Sequence, residues 1–199
     1  MGARAVSVIA EGVTVAYGNK VVLKDVNLVL GPGKYWLSGP NASGKTTLLK
    51  TLSFLIKPVK GRVVAFGKED ARGEVVYVPP SPVLLKGTVL RNLEFGVRIR
   101  GSGDPLWAAK KLGIEDLLHE DVSSLSSGQA ALVTLGRALA VRPRALMVDE
   151  ILSYLDEENK EVALKALDEA EVVVIASHEP LNLPRIRVKG GRAFLERAV

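Results

Sequence analysis

The segment Gly39-Pro40-Asn41-Ala42-Ser43-Gly44-Lys45-Thr46-Thr47 fits the pattern G-x-x-x-x-G-K-[ST] at every fixed position. The apolar run Tyr35-Trp36-Leu37 precedes it and the helix-forming run Thr47 to Leu52 follows it, which is the strand, loop and helix setting the pattern needs. Gly39 and Gly44 let the loop curl until successive backbone N–H groups face one point, and the helix behind them adds the positive end of its dipole. The natural ligand of such a loop is an anion, here a chain of phosphates. Lys45 supplies a point charge for the outer phosphates, and the Thr46 hydroxyl is placed to reach a magnesium ion.

Upstream of the loop, Val6 to Leu30 reads as two β-rich runs that alternate apolar and polar residues, with Gly18-Asn19-Lys20 as the turn of an antiparallel hairpin. Downstream, residues 57–70 read as a turn and a strand, and GEVVYVPP (73–80) as a buried strand stopped by Pro79-Pro80. From Val89 to Leu118 the pattern turns helical, with a break at 100–105, and residues 107–121 are amphipathic at helical spacing. The remainder alternates a helix (128–142), the strand ALMVDE (145–150), a helix (156–170) and the strand EVVVIASH (171–178). Fully apolar strands between helices predict an α/β fold with a mostly parallel sheet covered on both faces.

At 199 residues and 47% hydrophobic content, one well-filled core is expected and two full domains are not. No stretch approaches the roughly 20 apolar residues of a membrane span. The N-terminus carries one Arg and an apolar run that Glu11 interrupts, a poor secretion signal, so a cytoplasmic location is expected. With no Cys, neither a disulfide nor a thiolate metal site is possible. The net charge of +5 would suit an anionic partner, but Lys and Arg are dispersed and no basic stripe with interleaved aromatics stands out, so direct nucleic-acid binding is not expected.

Together with the loop, five further features carry a family resemblance. LSSGQ (Leu125 to Gln129) resembles the signature motif of ATP-binding cassette (ABC) ATPases, with Ser127 in the place of a glycine. Asp149-Glu150, at the end of an apolar strand, is similar to the Walker B aspartate and the catalytic glutamate beside it. SYLD, ending at Asp156, resembles the D-loop, and His178 the switch histidine. Tyr17 matches the aromatic residue that stacks on adenine, although a half-buried strand tyrosine would read the same way. Order, spacing and context agree across essentially the whole chain.

The resemblance implies a P-loop NTPase fold with an N-terminal antiparallel β subdomain and a small helical subdomain. In these terms 1–199 is a single ABC ATPase domain: 1–80 the β subdomain and phosphate-loop core, 81–124 the helical subdomain, and 125–199 the signature helix and the rest of the core. It further implies that Gly39 to Thr47 and Tyr17 hold ATP, that Thr46 and Asp149 hold Mg2+, and that Glu150, His178 and Lys45 are catalytic. Ser126, Ser127 and Gly128 would bind the γ-phosphate of the ATP held by an opposite subunit, and Gln129 and Asp156 would also belong to the nucleotide site, so a homodimer or heterodimer around two ATP is implied. Separate transmembrane permease subunits would be the partners, with the protein peripheral on the cytoplasmic face of the membrane. A soluble ABC ATPase serving cofactor assembly, nucleic acid or ribosomes is the alternative, and a nucleotide-gated module that barely hydrolyses a third.

Each role also has a chemical reading. Asp149 at a strand's carboxyl end lies where ligands bind in open parallel sheets, though alone it would read equally as a helix N-cap. Glu150 is suited to take a proton from an attacking water, and His178 to hydrogen-bond a terminal phosphate. His119, among acidic residues of the helical insert, reads as structural.

One position departs from the family pattern. Where ABC ATPases usually carry a glutamine that contacts magnesium, this chain has Pro80, and its one glutamine, Gln129, belongs to the signature. Proline offers neither an amide oxygen nor an N–H. A looser magnesium shell and slower or less tightly coupled hydrolysis are therefore expected. The segment from Pro80 to Leu125 is also compact, which implies a small docking surface, and the closing KGGRAFLERAV reads as the hairpin ending a minimal cassette.

Overall fold

The computed structural model describes residues 7–196; the expectations about the residues before 7 and the last three residues of the closing hairpin lie outside them. The described residues divide into two compact units, 7–77, 144–149 and 171–196 in the first and 78–143 and 150–170 in the second.

The first unit holds two sheets. β1 (Val8–Tyr17), β2 (Lys20–Leu30) and β4 (Lys60–Ala65) form an antiparallel sheet in the order β2-β1-β4. The expected alternation along β1 changes phase part-way. Val8 and Ala10 are buried, and so are Val13 and Val15. A bulge between Ala10 and Val13 inserts the extra residue that moves the buried set from even to odd positions. β4 crosses this bulge closely: a Cβ on Gly61, whose φ is +75°, would stand 2.3 Å from the Glu11 carbonyl oxygen and 2.4 Å from that of Gly12. Gly61→Ala is therefore expected to destabilise the protein by about 3 kcal/mol or more, because both contacts are backbone and cannot swing away. Thermal unfolding checks this, and a melting temperature equal to wild type would show that the bulge relaxes freely.

The second sheet of this unit combines β3 (Gly33–Ser38), β5 (Val75–Val78), β6 (Ala145–Asp149), β7 (Val172–Ala176), β8 (Arg185–Lys189) and β9 (Arg192–Glu196) in the order β5-β6-β7-β3-β8-β9. β3 runs parallel to β7 and β8, β6 parallel to β7, and β9 antiparallel to β8. Every residue of β6 and β7 is buried, as the apolar runs Ala145 to Val148 and Val172 to Ala176 require of strands covered on both faces, and the burial extends to Asp149 at the end of β6. β5 is an edge strand, and Val76 and Tyr77 are only half-buried, where a buried strand was expected. Helix α1 (Lys45–Leu52) packs Leu48, Leu49 and Leu52 into this core against β6.

Arg144, which leads into β6, joins the strand ends at the opposite end of this sheet. It donates from Nε to Glu171 at 2.6 Å and from Nη1 to Glu74 at 3.2 Å, and stacks over Phe66 at 3.8 Å. Lys68 pairs with Glu74 from the other side, and these two cations hold the Glu74 carboxyl below its ordinary range, Lys68 contributing most.

The second unit is helical. α2 (Val89–Arg100) starts at Thr88, whose side chain accepts from Arg91 N, and ends at left-handed Gly101. α3 (Pro105–Leu112) starts at Asp104, with Pro in its first turn, and ends at left-handed Gly113. The amphipathic pattern over 107–121 is thus not one helix: Gly113 terminates it and only a 3-10 turn, Glu115–Leu117, follows. α4 (Ser127–Ala140) packs on α2 and α3, and α5 (Glu157–Ala166) on α3. Buried Asn92 fastens the loop ahead of α2 by accepting from Leu85 N at 2.8 Å and donating to the Leu85 carbonyl at 2.8 Å. Among the described residues no helix is long and apolar enough to cross a membrane.

Candidate functional site

In the first unit, β6, β7 and β3 are neighbours running the same way, with Asp149 level with Ala176 and Ala176 level with Leu37. The residues that follow each strand therefore emerge at one end of the sheet. They are the end of β6 itself at Asp149, the Ser177-His178 turn after β7, and Gly39 to Thr47 after β3. Ligands of open parallel sheets bind beyond this carboxyl end.

The loop is held from several sides. A Cβ on Gly39 would sit 2.5 Å from the Val188 carbonyl oxygen, so the loop starts flat against β8. Gly44, at φ 106°, is the N-cap of α1 and faces Val22 and Leu23 of β2. Ala42 is a second left-handed position, at φ 60°. Lys45 is 7% exposed, and its Nζ donates to the Gly39 carbonyl at 3.1 Å, bracing the loop across its mouth. Pro40, Asn41, Ala42 and Thr46 are exposed, Thr47 is buried, and Ser43 is half-buried with an Oγ that has no hydrogen-bond partner. Tyr17, 53% exposed, ends β1 on the hairpin whose other strand carries Val22 and Leu23.

Asp149 is 1% exposed. Its Oδ2 accepts from the Tyr77 hydroxyl at 2.9 Å, and its Oδ1 is buried without a partner. Burial, and then the hydrogen bond to Asp149, push the Tyr77 phenol above its usual range, so it remains a donor throughout the neutral range. Two orphaned buried oxygens, on Ser43 and Asp149, are what a site built for a further ligand would show, since buried polar atoms are nearly always paired.

Besides Tyr77, two further residues that no sequence motif marks brace the strand ends. Trp36 donates from Nε1 to the Ser177 carbonyl at 3.0 Å, directly before exposed His178, while the Ser177 hydroxyl accepts from Glu179 N at 3.1 Å. Arg185 donates to the Ser38 hydroxyl at 2.6 Å and lies over the Trp36 ring at 4.7 Å.

The second unit carries the remaining candidates. Ser126 is the N-cap of α4 in a reciprocal pair with Gln129: its hydroxyl accepts from Gln129 N at 3.2 Å, and its N–H donates to Gln129 Oε1 at 2.9 Å. Ser126 and Ser127 are exposed at this helix start, and Gly128 passes close to the Tyr154 carbonyl. Glu150 is half-buried in a left-handed conformation, φ 54°, and its carbonyl accepts from both Ser153 N and Ser153 Oγ. A non-glycine residue there costs on the order of 1 kcal/mol, strain of a kind that gathers at functional positions. Asp156 is the N-cap of α5, and both its carboxylate oxygens accept from Asn159.

Residues 23–153 match the family model described as ABC transporter. The chain belongs to the ABC transporter family. The ABC relatives include the tungstate uptake system ATP-binding protein TupC of Peptoclostridium acidaminophilum, 32% identical over 161 residues, a match covering 76% of this chain and 75% of TupC. The phosphate import ATP-binding protein PstB of Saccharolobus solfataricus is 31% identical over 198 residues, covering 84% of this chain and 77% of PstB. The PhnT protein of Salmonella typhimurium is 34% identical over 165 residues, and there the match covers 76% of this chain but only 44% of PhnT. A solved ATP-binding subunit of an ABC transporter superposes with a TM-score of 0.84 at 21% identity, over 94% of this chain and 88% of that one, which bears out the P-loop α/β architecture.

Proposed function

We propose that this ABC chain is the ATP-binding and ATP-hydrolysing subunit of a transporter, closing with a second such subunit around two ATP and so driving separate membrane subunits from the cytoplasmic face. The observation that carries the reading is the common emergence of the phosphate loop, Asp149 and the His178 turn from three adjacent parallel strands. That relatives such as TupC and PstB are named as uptake and import ATP-binding proteins supports it; their cargoes are not carried over.

In this reading the N–H groups of the loop, Lys45 and the start of α1 hold the phosphates, and Tyr17 stacks on the base. Magnesium fits the residues present: the buried, unpartnered Asp149 oxygen and the Thr46 hydroxyl are hard oxygen donors of the kind the ion takes, directly or through water. When bound, the ion would neutralise charge gathering on the transferred phosphoryl group. Glu150 takes a proton from the attacking water as the oxygen bonds to the γ-phosphorus and the bond to the bridging oxygen breaks, leaving ADP and phosphate. His178 orients that water and the γ-phosphate. Ser126 to Gln129, at the start of the opposite subunit's α4, close the second face of the site.

Purification of the tagged protein from its native cell in mild detergent tests the transport reading. A stoichiometric multi-span membrane protein is the expected companion; recovery with soluble partners or nucleic acid alone would favour a soluble ABC ATPase. Pro80→Gln restores the missing amide, and is expected to raise turnover and lower the magnesium needed for half-maximal rate, by up to about tenfold as for other groups that tune a metal site. An unchanged rate and magnesium dependence would sink the idea that Pro80 loosens the metal shell.

A further inference from the structure

Asp149 poses a problem of orientation. Rotation of a carboxylate about its terminal bond is soft and close to two-fold, so a strand end alone does not decide which oxygen faces a ligand. In this protein one oxygen is pinned. The Tyr77 hydroxyl donates to Oδ2 at 2.9 Å, and Oδ1 is left buried and without a partner.

The donor is itself held. Tyr77 lies on β5, the strand next to β6 in the sheet, and its half-buried ring packs against the hydrophobic core. The Lys50 ammonium, in the last turn of α1, stands 5.6 Å from the ring centroid. The phenol therefore spans the strand carrying Asp149 and the helix that begins in the phosphate loop. Three residues further on, where an amide was expected, stands proline.

We infer that Tyr77 is a positioning residue for the magnesium ion: its hydroxyl fixes the plane of the Asp149 carboxylate and reserves Oδ1 for the ion's coordination shell. The inference rests on the proposed ATP and magnesium site and adds a residue to it. A phenylalanine at 77 keeps the ring and its packing but leaves Oδ2 as a second unpaired buried oxygen. The carboxylate then turns toward whichever neighbour offers a donor, and the ion meets a group that must be reoriented before it can serve. Outer groups that orient a metal ligand commonly change metal affinity by about 10- to 100-fold when removed.

The test is equilibrium binding of a fluorescent ATP analogue to the whole chain across a magnesium series, beside a titration in EDTA. Tyr77→Phe is expected to bind the analogue as wild type does in EDTA, to unfold at nearly the same temperature, and to need about tenfold more magnesium for half-saturation. Asp149→Asn should show a comparable magnesium defect, and Tyr77→Phe added to it should produce no further shift, because the two act through one carboxylate. Wild-type magnesium dependence in Tyr77→Phe would overturn the assignment alone. Equal weakening with and without magnesium would also overturn it, by making Tyr77 a packing residue. Wild type that bound no nucleotide under either condition would remove the assignment together with the function it rests on.

Discussion

Glu150→Gln is expected to lower steady-state ATP hydrolysis by about 10²- to 10⁴-fold while leaving ATP binding intact. Loss of a positioned general base typically carries that factor, and the amide keeps the shape of the side chain. The backbone should tolerate the change, since Glu150 already holds the left-handed conformation at φ 54°, a glutamine side chain of the same length meets it at like cost, and the hydrogen bonds from Ser153 go to the backbone carbonyl. Phosphate release measured beside nucleotide binding separates the two effects. A Glu150→Gln protein that hydrolysed as fast as wild type would move the base elsewhere; one that had lost binding as well would make Glu150 structural.

Lys45→Ala acts earlier, on affinity. The lysine is 7% exposed and braces the loop by donating to the Gly39 carbonyl at 3.1 Å. Alanine removes both that brace and the charge aimed at the outer phosphates. Hydrogen bonds to charged groups contribute about 1.5–3 kcal/mol, so affinity for ATP should fall by about 10- to 150-fold. Direct titration with ATP measures it. The loss should be smaller for AMP, which lacks the outer phosphates; equal losses for both would assign Lys45 to loop structure alone.

Much of the fold was legible because its signals are local. The phosphate loop, the carboxylate at the end of ALMVDE and the histidine after VVVIA each sit at a strand end that apolar patterning marks, and the structure brings these three ends side by side. The helical reading of 107–121 failed at Gly113, where a left-handed cap outweighs an apolar period that continues past it. The phase change along β1 was hidden for a related reason, since a bulge at Gly12 shifts parity without altering composition.

Tyr77, Trp36 and Arg185 could not be read as site residues at all. Their contacts depend on which strands are neighbours, and the order β5-β6-β7-β3-β8-β9 is not contained in any periodicity. A tyrosine in VVYVPP looks like ordinary strand filling until β5 is set beside β6 and its hydroxyl falls on Asp149.

Turnover of ATP at this loop and these strand ends is decided by phosphate release from the purified protein with ATP and magnesium, against Lys45→Ala prepared in the same way. The expected result is magnesium-dependent release by wild type that Lys45→Ala loses in large part at subsaturating ATP. Release that was absent from wild type, or that persisted unchanged in Lys45→Ala, would contradict it.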